Sequence, residues 1–518
     1  MSLAMVSIDL GRAATIDEVV RVAARGEPVA LSIGACEAVV AGHARLVGVL
    51  GEERPHYGIN TGFGKLSQQW INAADLASLQ RNLVRSHAAG VGPPLPAGVV
   101  RGMLFLLARS LSQGLSGARL ELLELIAALL NAGVTPVVPE TGSVGASGDL
   151  APLAHAALVL IGEGEALLPD GRRVPGAEAL AAAGLSPVEL GPKEGLALIN
   201  GTHLMAARAA LCCGEFDALA DAALLALAAS IDAARATDTF LDSRVYEARN
   251  QPGPARVAAD LRRLLADSQI LPSHELNDSR VQDPYSFRAG PIVLGSAFEV
   301  AQSVRRAVEA ELGAVTDNPL LFAATPAEPG AAVDAVDVVS AANFHGMPVA
   351  LPCDTLAVAV AHVAGASERR VYHMLSGFDP EAQLPPFLAR EPGLHSGLMI
   401  VQYSAAAACN EIIGLATPAT VVNLSTSAGM EDYNSFGPRA AAKLDRAISL
   451  ARSVVAIELL CAAEAVEHHR PLRSGSAIER VIAVIRERVP PLTVDRPPAP
   501  DIAAIEEMIA ERAFDPLG

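Results

Sequence analysis

The sequence predicts a mainly α fold with a long central helix bundle and a smaller mixed N-terminal region. Hydrophobic residues make up 51% of the 518 residues, whereas aromatic residues make up only 4%, and small apolar side chains suit closely packed helices. Long stretches repeat apolar residues with the helical period of 3.6 residues and contain few helix breakers. These stretches are 97–132, 202–236, 291–312, 349–375, 397–416 and 438–469.

Outside these stretches, the sequence predicts shorter helices, strands and loops. The region before Pro55 contains short β-like pieces such as 29–33, and a terminal helix is expected at 501–513. Segments rich in Pro, Gly and Ala at 328–335 and 489–500 are typical of a surface loop and a connector. We expect one unit over 1–518, with an N-terminal part at about 1–200, the central bundle at about 201–488 and a C-terminal connector and helix at about 489–518.

The charge and cysteine content exclude several classes of partner. A net charge of −18 at pH 7 gives no attraction to nucleic acid or to an anionic membrane, so neither is expected as a partner. There is no run of about 18 uncharged apolar residues and no basic segment followed by an apolar core at the N-terminus, which predicts neither spanning nor export. The six cysteines show no Cys-x-x-Cys spacing, and we expect them reduced in the cytoplasm.

Two kinds of added cofactor are not expected. Glu464 and His468 have helical i,i+4 spacing, but they fall in the last turn of a predicted helix, where a cationic side chain is favoured without any metal. The chain has three lysines, Lys65, Lys193 and Lys443. None lies in a recognisable site for a pyridoxal phosphate Schiff base. We therefore expect neither a metal nor pyridoxal phosphate.

The run Gly142-Ser-Val-Gly-Ala-Ser-Gly-Asp-Leu-Ala-Pro-Leu153 contains a tripeptide that can become an electrophile. Because Gly148 has no side chain, its amide nitrogen is free to attack the carbonyl of Ala146, and Ser147 can then lose its hydroxyl as water. The product is a 4-methylidene-imidazol-5-one ring (MIO). Asp149 is a helix-capping residue type and 153–161 is an apolar run that predicts a buried helix, so the ring is expected at a helix N-terminus. A glycine-rich turn before a core helix predicts the same local structure without this chemistry.

Four further motifs accompany this run. They are Tyr57-Gly-Ile-Asn-Thr-Gly-Phe-Gly64, Ile199-Asn200-Gly201-Thr202, Gln282-Asp-Pro-Tyr-Ser-Phe-Arg288 and Asn343-Phe344-His345. Each alone admits an ordinary structural role as a bent loop, a helix start capped by Thr202 or a core aromatic. Arg288 also offers a planar, permanently charged fork for a carboxylate. Together with the run at 142–153, the motifs resemble the histidine/phenylalanine/tyrosine ammonia-lyase family.

The resemblance implies a fold, a cofactor and a set of site residues. The fold is of the ammonia-lyase/aromatic aminomutase type, a mostly helical homotetramer whose active sites take residues from three subunits. The cofactor is MIO, formed autocatalytically from Ala146, Ser147 and Gly148. The other implied catalytic residues are Tyr57, which removes the β-proton of an amino-acid substrate and needs a depressed pKa, and Tyr285, which lies beside the ring. The implied substrate-binding residues are His87, Asn200, Gln282, Arg288, Phe344 and Glu411.

The pair Ser86-His87 bears on the substrate. It resembles the histidine-specific members, whereas phenylalanine and tyrosine enzymes generally carry Phe-Leu or His-Leu there, and an imidazole needs polar partners such as His87 and Glu411. We therefore favour conversion of L-histidine to urocanate and ammonium. Three departures from the bacterial histidine enzymes, His203, Met347 and Met430, leave alternatives open. These are a 2,3-aminomutase making β-histidine or an aromatic β-amino acid, a tyrosine or phenylalanine ammonia-lyase, and an inactive helical scaffold.

Overall fold

A computed structural model describes residues 7–50, 55–276, 278–324 and 336–514 of the chain. The described residues fall into two compact units, each assembled from separate stretches of sequence. Unit 1 comprises the chain up to Leu211 together with Arg305–Cys353 and Ala419–Ala442, and unit 2 comprises Cys212–Val304, Asp354–Pro418 and the chain from Lys443 onward. The fold is mainly helical, as the composition predicts.

The described helices carry most of the chain. They are α1 Ile16–Arg25, α2 Ile33–Leu50, α3 Leu76–His87, α4 Ala97–Leu111, α5 Leu120–Asn131, α6 Leu150–Leu160, α7 Gly176–Ala182, α8 Glu194–Ile199, α9 His203–Ala233, α10 Ser243–Arg249, α11 Pro252–Leu264, α12 Tyr285–Arg288, α13 Gly290–Leu312, α14 Met347–Ser376, α15 Met399–Leu415, α16 Gly437–His468, α17 Ser476–Arg488 and α18 Ala499–Ala510. Five of the six long predicted stretches therefore correspond to single helices, α9, α13, α14, α15 and α16.

The strands are short and all of those described lie in unit 1. They are β1 Ile8–Asp9, β2 Val29–Ala30, β3 Val91–Pro94, β4 Thr135–Pro136, β5 Pro139–Thr141, β6 Glu165–Leu167, β7 Arg173–Pro175, β8 Leu320–Ala323 and β9 Val336–Val339. The pair β1-β2 is parallel, whereas β3-β5, β4-β6-β7 and β8-β9 are antiparallel. The mixed N-terminal region that the sequence predicts is thus confirmed, and its strand content stays small.

Local sequence signals set the ends of the first helix. Thr15 accepts a hydrogen bond from the Glu18 backbone, and the Glu18 side chain accepts one from the Thr15 backbone, which makes a capping box. Such a cap stabilises a helix by ~1 kcal/mol. Gly26 ends α1 in the left-handed region with φ of 66°, a conformation that glycine adopts without steric cost.

The periodic stretch 97–132 forms two helices and not one. The structure ends α4 at Leu111 and begins α5 at Leu120. Between them Gly114 has a φ of 69°, and a Cβ at this position would lie 2.0 Å from the carbonyl oxygen of Ala38. The break therefore arises from close backbone packing against α2, a long-range contact to which helical periodicity is insensitive.

The core of unit 2 is built from small and branched apolar side chains. The C-terminal part of α9 and the part of α16 from Lys443 onward supply buried Ala, Leu, Ile and Val residues. Buried polar groups among them are paired: Ser230 Oγ donates to Glu458 Oε1 at 2.7 Å, and Arg370 Nη2 donates to Glu458 Oε2 at 2.8 Å. Pairing is what allows such groups to be buried without a large desolvation cost.

Two described helices, α2 and α14, are long and apolar enough to cross a membrane by length and composition alone. Within the chain, 56% of the apolar window of α14 is buried, against 28% for α2. Both helices carry charged side chains, including Glu37 and Arg45 in α2. Core helices of soluble proteins meet the same two criteria, so this finding gives only weak support for a membrane span.

Candidate active site

A cavity of about 570 Å³ opens within unit 1. It lies between the loop after Tyr57, one face of α3 and the segment before α6. Five of the residues that the sequence analysis assigns to the site line this one cavity: Tyr57, His87, Ser147, Asn200 and Phe344. Side chains from distant parts of the sequence thus meet at a concave surface, which is the usual form of a small-molecule site.

The tripeptide Ala146-Ser147-Gly148 lies immediately before the N-terminus of α6, as predicted. Gly148 has a φ of 73°, and a Cβ here would lie 2.2 Å from the carbonyl oxygen of Gly201. That carbonyl accepts the backbone N–H of Asp149 at 2.8 Å. Only glycine fits at position 148, because both the backbone conformation and the close approach exclude a side chain.

Two polar side chains hold Ser147. Its hydroxyl donates to Glu431 Oε1 at 2.9 Å, and its carbonyl oxygen accepts from Asn200 Nδ2 at 2.9 Å. Glu431 also accepts from Thr426 Oγ1 at 2.9 Å, which fixes the carboxylate. The sequence analysis did not select Glu431, although it singled out the adjacent Met430; the segment Met430-Glu431-Asp432 was the available signal. Glu431 lines the cavity.

Asp149 occupies the N-cap position of α6, but its side chain does not cap that helix. Its Oδ2 instead accepts the backbone N–H groups of Leu204, at 2.9 Å, and Met205, at 3.1 Å, in the first turn of α9. Asp149 therefore caps a different helix from the one that its position predicts. Complete burial raises the pKa of Asp149 to about 7, against the opposing effect of these hydrogen bonds.

Thr202 was the capping residue expected at the start of α9, and its contacts differ from that expectation. The Thr202 hydroxyl donates to Glu311, and its backbone N–H donates to Thr316 Oγ1 at 3.2 Å. Asp149, from a neighbouring segment, thus satisfies two free N–H groups of the first turn, those of Leu204 and Met205.

Tyr57 is half-buried in the cavity wall, where the backbone N–H of Gly64 donates to its phenol oxygen at 3.4 Å. Burial raises the pKa of Tyr57, the Gly64 hydrogen bond opposes this rise, and the charge of Glu431 adds to it. The sequence analysis expects a depressed pKa for a catalytic base. Burial produces the opposite shift, and the contributions from the described residues come from Gly64 and Glu431 and not from a cation.

His87 is the last residue of α3 and reaches the cavity beside Ser86 and Asn82. Its Nδ1 lies 2.9 Å from the carbonyl oxygen of Leu83. Because a carbonyl oxygen only accepts hydrogen bonds, this contact requires a proton on Nδ1, which also lies 3.1 Å from Ser86 Oγ. This wall of the cavity therefore presents hydrogen-bonding groups.

Unit 2 contains Gln282, Tyr285 and Arg288, which the sequence analysis also assigns to the site. Arg288 Nε donates to the carbonyl oxygen of Asp283 at 2.9 Å, and its guanidinium lies 4.3 Å from the Tyr285 ring centroid. Tyr285 is 71% exposed, and Gln282 is also exposed. Stacking and the Nε hydrogen bond fix the guanidinium plane, so that its terminal nitrogens present a fork suited to a carboxylate.

Glu411 lies on α15 in unit 2, exposed and paired with Arg446, whose Nε donates to Glu411 Oε1 at 2.8 Å. The hydrogen bond from Arg446 holds the pKa of Glu411 below its usual range. The glutamate that lines the unit 1 cavity among the described residues is Glu431.

The three departures from the bacterial histidine enzymes are not among the described residues that line the cavity. His203 is buried behind Gly201, where a methyl group added to Gly201 would lie 2.2 Å from His203 Cε1. Burial lowers the pKa of His203 to about 4, so the ring is neutral. Met347 begins α14, and Met430 is 58% exposed.

Among the described residues, no group of three or more His, Cys, Asp and Glu side chains is placed to hold a metal ion. The residues first considered have other partners. Glu464 accepts from Arg486 Nη1 at 2.7 Å and from the backbone N–H of Leu492 at 3.1 Å, and the His468 ring hydrogen-bonds to the backbone of Leu388.

Comparison with known proteins agrees with this geometry. The model of the aromatic amino acid lyase family matches residues 14–487. The chain is 46% identical to histidine ammonia-lyase of Symbiobacterium thermophilum, over 98% of this chain and 97% of that protein. It is 44% identical to histidine ammonia-lyase of Deinococcus radiodurans, over 95% and 91%.

Two solved structures extend the similarity to the fold. Histidine ammonia-lyase from Trypanosoma cruzi has a TM-score of 0.89 at 35% identity, covering 98% of this chain and 94% of that chain. Tyrosine aminomutase from Streptomyces globisporus has a TM-score of 0.90 at 31% identity, covering 98% of each chain. The motifs, the cavity and these matches lead to one conclusion: the chain belongs to the aromatic amino acid lyase family and is a carbon–nitrogen lyase.

Proposed function

We propose that this protein is an MIO-dependent histidine ammonia-lyase that converts L-histidine to urocanate and ammonium. The observation that carries the proposal is that Ser147 and His87 line the same cavity. One belongs to the tripeptide that resembles the precursor of MIO, and the other provides a hydrogen-bonding partner for an imidazole. The names of relatives at 44% and 46% identity support the same substrate.

The residues around the tripeptide fit an MIO group. Gly148 is held where no side chain fits, which leaves its nitrogen unhindered by a Cβ substituent. Asn200 donates to the Ser147 carbonyl oxygen, which the ring would keep, whereas Glu431 accepts from the hydroxyl that would leave as water. When present, MIO supplies a carbon electrophile for the substrate amine. The N-terminus of α6 adds a partial positive charge beside the ring.

The chain's own residues bind the substrate and move its proton. Arg288 holds the carboxylate through its terminal nitrogens, and Tyr57 takes the β-proton on its phenol oxygen as ammonia leaves; return of that proton to ammonia gives ammonium and restores the phenolate. This transfer requires Tyr57 to be deprotonated, whereas burial within the single chain raises its pKa. We infer that a cation from a neighbouring subunit lowers that pKa, in a homotetramer with sites shared between subunits.

The substrate ring is recognised by hydrogen bonding. With the proton on Nδ1, His87 Nε2 accepts the N–H of the substrate imidazole, and Ser86 and Asn82 supply further polar groups in the same wall. A phenyl ring offers no donor to His87 Nε2 and excludes water from it, at a cost of about 1–3 kcal/mol. Histidine is favoured over phenylalanine for this reason.

A second candidate is a 2,3-aminomutase that makes β-histidine or an aromatic β-amino acid. The similarity to tyrosine aminomutase, with a TM-score of 0.90, favours keeping it. A tyrosine or phenylalanine ammonia-lyase is the third candidate. Incubating the purified protein with histidine, tyrosine and phenylalanine, and separating products by mass and retention, decides among them. Urocanate with one equivalent of ammonium supports the proposal, whereas β-histidine without ammonium, or faster turnover of tyrosine, refutes it.

We place the enzyme in the cytoplasm, acting on a free amino acid as one unit over residues 1–518. None of the six cysteines is in a disulfide bond, as suits a reducing compartment. A net charge of −18 disfavours association with nucleic acid or an anionic membrane surface.

A further inference from the structure

A connected set of contacts in unit 2 leads from the segment after α9 to Arg288. Asp283 is 4% exposed, and its backbone carbonyl accepts Arg288 Nε at 2.9 Å. Its carboxylate Oδ2 accepts the backbone N–H of Thr237 at 2.9 Å and the Thr237 hydroxyl at 2.6 Å. Asp283 thus connects Arg288 to Thr237, in the segment after α9.

Arg280 lies at the centre of these contacts, with a side chain that is 12% exposed. Its guanidinium donates to Asp278 at 2.7 Å and to Asp379 at 3.3 Å, and Nη1 lies 3.9 Å from Asp283 Oδ1. It also donates to the backbone carbonyls of residues 234–235. Asp283 Oδ1 is buried and forms no hydrogen bond among the described residues. The charge of Arg280 therefore compensates a carboxylate oxygen that would otherwise be costly to bury.

The other end of the same segment is held as well. Phe287 is fully buried, and the ring of His373 packs edge-on against it with centroids 5.1 Å apart. His373 Nε2 lies 3.2 Å from Asp379, the carboxylate that also faces Arg280. The carbonyl of Ser286 accepts from Arg370 Nη1 at 3.1 Å. The backbone on both sides of Tyr285 is therefore fixed, with Arg288 directly following.

We propose that Arg280 is a positioning residue for substrate binding: through Asp283 it holds Arg288 Nε on a fixed carbonyl and leaves the terminal nitrogens of Arg288 for the substrate carboxylate. The inference rests on the proposed function, in which Arg288 binds that carboxylate. Without the guanidinium, the carboxylates of Asp278, Asp283 and Asp379 repel each other, and the carbonyl that orients Arg288 moves. A displacement of about 1 Å in a positioning group is enough to weaken binding and turnover severely.

The test compares two ligands that differ only in the carboxylate. Urocanate has it and 4-vinylimidazole lacks it, and both are measured by competition against histidine turnover in the intact enzyme. In Arg280→Gln we expect the inhibition constant of urocanate to rise about tenfold and that of 4-vinylimidazole to stay within twofold. Arg244→Gln is the matched control, because Arg244 is exposed and pairs with Asp242; it should change neither constant.

A milder variant covers the case in which Arg280→Gln does not fold. Thr237→Val keeps the side-chain shape and removes one hydrogen bond to Asp283, so it should weaken urocanate selectively but by a smaller factor. Equal weakening of both ligands in Arg280→Gln, or in Thr237→Val if the first variant is unfolded, means a merely structural role and overturns the proposal. So does the absence of any effect.

Arg288→Lys separates this inference from the proposed function. If Arg288 binds the carboxylate, Arg288→Lys weakens urocanate alone, and adding Arg280→Gln to it causes no further loss. Full additivity of the two changes overturns the positioning role of Arg280 and leaves Arg288 as the carboxylate ligand. Unchanged urocanate binding in Arg288→Lys overturns the role of Arg288 itself, and the inference about Arg280 with it.

Discussion

The substitution Gly148→Ala tests the close packing of the tripeptide against Gly201. The new Cβ would lie 2.2 Å from the Gly201 carbonyl oxygen, whereas an ordinary contact between carbon and oxygen is roughly 3.3 Å. The two backbones must separate by about 1 Å, which breaks the 2.8 Å hydrogen bond from Asp149 to Gly201. A left-handed alanine costs roughly 1–2 kcal/mol, overpacking about 1–3 and the lost hydrogen bond about 1. We expect a loss of about 3–6 kcal/mol in the free energy of unfolding.

Gly184→Ala is the matched control for this substitution. Gly184 has a φ of 71°, close to the 73° of Gly148, but a Cβ there meets nothing within 4 Å. It should cost only the conformational part, about 1–2 kcal/mol. Urea unfolding of both variants gives the difference, and intact mass shows whether two waters have been lost from each chain. The close-packing argument would be refuted if the Gly148→Ala chain were as stable as the Gly184→Ala chain and its mass still showed the loss of two waters.

Four further outcomes are expected. Ser147→Ala should abolish turnover and retain the two waters while leaving the circular dichroism unchanged; an active variant would exclude MIO. His87→Leu should lower kcat/KM for histidine ~10–100-fold and relax discrimination against phenylalanine, and unaltered discrimination would contradict our assignment of the ring pocket. The pKa of Asp149 in the folded protein, about 7, lies above the ordinary value of 3.8, so the native state binds this proton more tightly than the unfolded state does. The free energy of unfolding should therefore fall as the pH rises from about 4 to about 7. Asp149→Asn should flatten this pH dependence in urea titrations, and an equally steep dependence would exclude Asp149 as its source. Mixing Tyr57→Phe chains with Arg288→Ala chains should restore part of the activity if the two residues meet from different subunits, and a fully active monomer by light scattering would count against shared sites.

The sequence predicts the elements whose signals are local. Apolar periodicity locates the five long helices, and the run at 142–153 places Ser147 before the N-terminus of α6. Tyr57, Asn200 and Phe344 were assigned by motif resemblance and line the cavity with Ser147. These residues come from separate motifs, and the fold brings their side chains to one cavity.

Features that depend on distant contacts were not predictable in this way. The break at Gly114 follows from its approach to the backbone of Ala38, and Asp149 caps α9 because folding brings that helix to it. Glu431 meets Ser147 across most of the chain length, so nothing near Ser147 signals it. The pKa of Tyr57 depends on burial and on the charge of Glu431, and the sequence around Tyr57 predicts neither of them.

The contacts that hold the tripeptide come from residues that are synthesised much later than the tripeptide itself. Ser435 Oγ donates to the carbonyl of Gly145 at 2.9 Å, the backbone N–H of Phe436 donates to that of Val144 at 2.9 Å, and Glu431 accepts from Ser147. During translation the loop emerges from the ribosome hundreds of residues before these partners, since synthesis proceeds from the N-terminus. These contacts therefore form only when most of the polypeptide has been made. A nascent chain that ends before Glu431 lacks all three of the contacts to the tripeptide and its neighbours.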